Sequence, residues 1–174
     1  SVKWFQNSGV MYPADGSWGV AERVAIVKSN DAIQKMFDSF PSYIVYGDYA
    51  VIEQRRPDCN FETALMFLLA SKVFKDEKLF KTGENILTYL YNRSRMRNIN
   101  GREAGYMAET WKWAHCDWRN VIYFDDNAWN CVVPLIISRL FPKLDKKHGM
   151  RKSALTLAEG MNEAFNKHFE VEPG

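Results

Sequence analysis

The chain has 174 residues, 47% apolar and 14% aromatic, which suffices for one domain with its own core. Its 23 basic and 21 acidic residues leave a formal charge of +2, and no basic cluster is interleaved with aromatics, so nothing marks a nucleic-acid partner. No apolar run reaches the ~20 residues of a membrane span, and no signal, transit or lipidation motif is present.

The chain opens Ser1-Val-Lys-Trp-Phe without an initiator Met, as expected of a piece cut from a longer protein. Cys59, Cys116 and Cys131 are odd in number and lack CxxC spacing, so they build no disulfide framework.

Val2 to Ser8 reads as the end of a helix closed by Asn7-Ser8-Gly9. Pro13-Ala-Asp15-Gly16 is a turn signal. Residues 31–40 predict a short helix, and Tyr43 to Ile52 predict two strands around Gly47-Asp48. A helix from about Asn60 to Phe74 is apolar on nearly every side and must be surrounded by protein. After Lys75-Asp76 a helix from Glu77 to Arg93 has a narrower apolar set (Leu79, Phe80, Ile86, Leu87, Leu90) and a wet face.

The pattern then repeats. A long loop from Ser94 to Asp126, with short strands expected at 105–113 and 121–124, feeds a dry helix, Asn127 to Phe141, with Asn127 as N-cap and a kink at Pro134. A turn at 142–147 leads to an amphipathic helix from Met150 to His168, its inward set Ala154, Leu157, Ala158, Met161 and Ala164 or Phe165. Alternating dry and wet helices, joined by long loops at one end and short turns at the other, predict a mainly all-α chain. Specifically, they predict an arc of an α/α toroid with short β-hairpins on the loop face. A closed toroid needs about six helix pairs, so the remainder of the domain or another chain is expected to complete the ring, and apolar edges should be exposed.

Chemistry is expected on the long-loop face. Asp125 and Asp126 enter a helix side by side, about 100° apart around its axis, which allows carboxyls ~5–9 Å apart as in glycosidase acid pairs. Plain helix capping by the two acids is the competing reading. Asp58 and Glu62 share a face of the other dry helix, either as N-cap and neighbour or as site residues. Arg55 and Arg56 can pair with Asp58 or bind a uronate carboxylate. Glu22, beyond the first turn, can reach the same centre, and Trp18, Trp111, Trp113 and Trp129 offer rings for stacking on sugars or for core. His115-Cys116 lacks the second closely spaced pair that a metal site needs, so neither metal nor cofactor is expected. His148 is expected to be solvated.

Tyr123-Phe-Asp125-Asp126-Asn-Ala-Trp129 resembles the Tyr-Tyr-Asp-Asp-x-x-Trp motif of bacterial and fungal endo-α-mannanases, members of the six-hairpin (α/α)6 glycosidase superfamily. Asp15-Gly-Ser-Trp-Gly-Val-Ala-Glu22-Arg23 and Arg56-Pro-Asp58-Cys-Asn-Phe-Glu62-Thr63 also resemble that superfamily, particularly glycosidase-like proteins of gut Bacteroidetes. The resemblance implies a carbohydrate substrate, Asp125 as nucleophile, Asp126 as acid/base, Trp129 as a cleft wall, and a periplasmic or extracellular location. The long segment between Gly9 and Asp58 departs from the pattern and leaves the sugar open. The same fold can house a lyase or epimerase, for which Tyr106, His115 or Tyr123 would move the proton, or a fragment that only binds carbohydrate. A prenyl-diphosphate enzyme is disfavoured by the single Asp-Asp.

Overall fold

A computed structural model describes residues 2–26, 35, 43–46, 49–99 and 108–168. Within them the order is α1 (Val2–Asn7), β1 (Arg23–Ile26), β2 (Tyr43–Tyr46), β3 (Tyr49–Ile52), α2 (Pro57–Phe74), α3 (Glu77–Asn92), α4 (Phe124–Leu140), α5 (Pro142–His148) and α6 (Met150–His168). The chain is mainly helical, as its periodicity predicts. The helix expected over 31–40, residue 35 apart, the turn at Gly47-Asp48 and residues 105–107 lie outside the described residues. Among the described residues no helix is long and apolar enough to cross a membrane.

α2 and α4 lie side by side and parallel. Arg56, at the start of α2, bonds Asp126 in the first turn of α4, while Lys72 Nζ near the end of α2 donates to the Leu140 carbonyl at 3.1 Å. α3 returns along α2 after a tight reversal at Lys75 (φ 52°), and Gly83 permits their close approach: a Cβ there would stand 2.7 Å from Leu68 Cγ. α6 packs on α4, and α5 touches α3, α4 and α6. Leu68, Ile86, Leu87, Ile137 and Leu157 form the buried seam. α1 joins through an edge-on pair of Phe5 with Phe67, ring centroids 6.3 Å apart.

The far side of α2 and α4 is uncovered among the described residues. Val73 is 74% exposed and Phe74 69%, and Val132, Ile136 and Leu140 line up at helical spacing on α4. The exposed apolar edges expected from the sequence are therefore present.

One device recurs in both halves. Asn60 is the fourth residue of α2; its amide accepts from Val20 N (2.7 Å) and donates to the carbonyls of Val20 (3.0 Å) and Arg56 (2.8 Å). Asn127 is the fourth residue of α4; it accepts from Trp111 N (2.8 Å) and donates to the carbonyls of Trp111 (2.9 Å) and Tyr123 (2.8 Å). Each Asn ties the crossover segment to the helix that follows it, satisfying backbone groups that burial would otherwise leave unpaired. Gly19 belongs to the first of these clamps. At φ 73° it sits so close that a Cβ would lie 2.5 Å from Tyr89 Cδ1 and 2.6 Å from Asn60 Oδ1.

Several expectations are corrected. α4 starts at Phe124, so both acids lie in its first turn, and Asn127 is a clamp rather than the N-cap. Pro57 occupies the first turn of α2, three residues ahead of the expected start, because its missing N–H is no loss there. The stretch 121–123 is not a strand; in the described part of that loop the bridge of Arg97 to Trp111 is flanked by bonds between 96–98 and 109–112, and Val121 is held by its carbonyl accepting from Trp113 N (2.7 Å). β1 is an added strand, antiparallel to β3, which β2 also flanks. The expected turn at 142–147 is α5, started by Pro142 and ended by Gly149 at φ 66°. In α6, Ala164 is buried while Phe165 and Ala158 face out.

His148 is half-buried rather than solvated, stacked on Tyr91 at 5.4 Å with the rings 24° apart. Burial, and then Lys147, push its pKa from the ordinary 6.5 down to about 4, against the pull of Glu84. A group held neutral in the folded chain contributes its full stability above the free value and loses it as protons are taken up. The melting temperature should therefore fall from pH 6.5 to pH 4 more steeply in the native chain than in His148→Gln; parallel melting curves would contradict this.

Candidate active site

The N-terminal turns of the two parallel helices place their acids at one end of the molecule. Arg56 stands between them in extended conformation (φ −110°, ψ 148°) as the residue before α2. Its Nη2 donates to Asp126 Oδ1 at 2.6 Å and to Asp58 Oδ2 at 2.8 Å, and its Nη1 donates to Glu22 Oε1 at 3.1 Å. Asp58 and Asp126 thus meet on one nitrogen, no farther apart than those two bonds laid end to end. Among the described residues, three carboxylates converge on this one guanidinium.

The convergence is felt at Asp126. Burial, and next the Asp58 carboxylate, hold its pKa above the ordinary carboxylate value; Arg56 pulls it down and Asp125 adds to the rise. Glu62 is raised as well, by burial and then by Asp58, with Arg56 opposing. Cys59, next to Asp58, is pushed up to about 12 by burial, then by Asp58 and Glu22, which keeps its thiol protonated.

Asp125 is exposed and, among the described residues, takes no hydrogen bond or ion pair. Neither it nor Asp126 caps α4, whose N-cap position is Tyr123 with no side-chain bond. Asp58 does not cap α2 either: it is the second helical residue, and its Oδ1 is buried without a hydrogen-bond partner. None of the three acids is an N-cap, but all lie in the first turn of their helices, where the helix dipole favours a negative charge.

Of the expected aromatic residues, Trp129 is 53% exposed and lies one helical turn below Asp125 and Asp126. Trp113 is half-buried, edge-on to Tyr123 at 6.2 Å. Trp111 is not a binding residue: at 1% exposed it is core, edge-on to Phe61 at 5.2 Å and to Tyr91 at 5.5 Å. Trp18 is exposed but sits elsewhere, beneath Arg93 with the guanidinium 5.7 Å from the ring centroid. Glu62 is exposed and one turn along α2 from Asp58.

Arg56 is committed to three acids rather than to a ligand. His115 is anchored on the Arg55 backbone, its Nδ1 accepting from Arg55 N at 3.1 Å and its own backbone N–H donating to the Arg55 carbonyl at 3.0 Å. Tyr106 lies outside the described residues. Sequence reasoning missed the environment of Arg55, which lines a cavity with Arg93, a residue that reads in the sequence only as a helix end. Set against protein-family models, curated proteins and solved structures, the chain finds no match, so the site is read from its geometry alone.

Proposed function

We propose that this chain carries the catalytic rim of a glycoside hydrolase built on an arc of an (α/α)6 toroid, acting on a polysaccharide or oligosaccharide with Asp125 and Asp126 as its working pair. The observation that supports this most is the convergence of Asp126, Asp58 and Glu22 on Arg56 where two parallel helices begin, with Asp125 free beside them. Asp126, its pKa raised by burial and by Asp58, suits the proton donor to the leaving glycosidic oxygen. Asp125, solvent-facing and without a partner among the described residues, supplies the carboxylate that acts at the anomeric carbon as that bond breaks. Trp129 and Trp113 offer ring faces along the approach, and Arg56 fixes the position of Asp126. The parallel inner pair α2 and α4, each backed by an antiparallel helix and bare on its other side, is the part of the architecture that fits a toroid arc.

The test is reducing-end release by the intact protein from a panel of neutral and acidic polysaccharides, with the double variant Asp125→Asn/Asp126→Asn as the blank. Release from at least one glycan by the native protein alone is expected. Equal release from both proteins would refute the reading.

A further inference from the structure

We propose that the cavity on the other side of Arg55 is a subsite for an acidic sugar, a pyranose bearing a carboxylate; as a statement of substrate class it rests on the hydrolase reading. The cavity encloses about 450 Å³ and is lined in part by Tyr12, Trp18, Tyr89, Arg55, Arg93 and His115. That volume is within the ~300–1,000 Å³ range of small-molecule sites.

Its chemistry is one-sided. Arg55 is 8% exposed, its guanidinium meets Glu53 only at 3.5 Å, and its Nε is buried without a hydrogen-bond partner. A guanidinium cannot shed its charge, so a buried one that is weakly paired calls for an anion. Arg93 is exposed over the Trp18 face and has no carboxylate partner among the described residues. His115 is kept neutral by burial and then by Arg55; since its Nδ1 accepts from the backbone, its proton sits on Nε2 and is available to donate. Glu53 is the one acid on this wall among the described residues.

Two cations and a neutral donor fit a carboxylate, and the exposed rings of Tyr12 (66%) and Trp18 (54%) fit the face of a sugar. Location favours a sugar too. Extended backbone sends successive side chains to opposite sides, so Arg55 faces this cavity while Arg56 faces the acid rim one residue away. Neighbouring units of one glycan can thus occupy both.

The experiment titrates D-glucuronate, D-glucose and inorganic phosphate into the intact protein at low salt, followed by ligand-observed NMR. Glucuronate should saturate, with glucose and phosphate each at least about tenfold weaker, and Arg93→Gln or Trp18→Ala should each weaken glucuronate at least about fivefold. Both side chains are exposed, so neither variant endangers folding. Glucose or phosphate binding as tightly as glucuronate, or glucuronate binding indifferent to both variants, overturns the proposal. Failure here alongside hydrolysis of a neutral glycan refutes the subsite alone. Glucuronate binding with no hydrolysis of any glycan supports the subsite and counts against the hydrolase.

Discussion

Asp126→Asn in the intact protein is expected to slow hydrolysis of a natural glycan about 10³-fold, yet to slow an aryl glycoside with a dinitrophenolate leaving group less than about tenfold. A sugar alkoxide leaves only when protonated, whereas dinitrophenolate leaves without help. The amide has the shape of the acid and still accepts from Arg56 through its oxygen, so the fold should persist. Asp125→Asn should depress both substrates alike, because the carboxylate at the anomeric carbon serves every leaving group. A loss in Asp126→Asn that is equal for the two substrates would take the proton-donor role from this residue.

Arg56→Gln should cost about 2–3 kcal/mol, below the ~3–5 of a fully buried pair because one side of the rim faces water. For a chain of this length that corresponds to a melting temperature roughly 4–12 °C lower. Asp126, already held above the ordinary carboxylate value, would lose the cation that pulls it down and would rise further. Groups raised above their unfolded values stabilise only while protonated, so the deficit should grow as pH rises through the raised values and shrink in acid. Thermal melts of native and variant protein at pH 5 and pH 8 check this. A deficit independent of pH would mean that Arg56 matters as packing rather than as charge. Arg56→Lys should recover only part of the loss, since an ammonium lacks the fork that reaches Glu22, Asp58 and Asp126 together.

Local chemistry was legible where it is local. The dry-wet alternation located all the long helices, because an apolar stripe is written in adjacent residues. It placed Asp58, Asp125 and Asp126 at helix starts and on a common end. The signals for α5 were also present, Pro142 opening it, basic residues closing it and Gly149 stopping it, but the segment is too short for periodicity to reveal. Phe124 was assigned to a strand for its aromatic ring, which displaced the start of α4 and turned a clamp into a cap. What could not be read depends on partners distant in sequence. β1 is a strand only because β3 lies beside it. Trp111 is core only because Phe61 and Tyr91 enclose it. Arg56 reads as a ligand-binding residue until Glu22 and Asp126 are found on its nitrogens.

The matched asparagines have a consequence for how such a protein can diversify. Asn60 and Asn127 act as moorings: whatever the chain does before Val20 and Trp111, it is made fast to the scaffold at the same depth. Lengthening the chain at exposed positions beyond these anchors costs little, since loop-closure entropy grows only slowly with length, whereas Val10 and Met11, buried ahead of Val20, must stay. A lineage built this way can edit the segments between fixed points, while the acids below stay where the helices hold them.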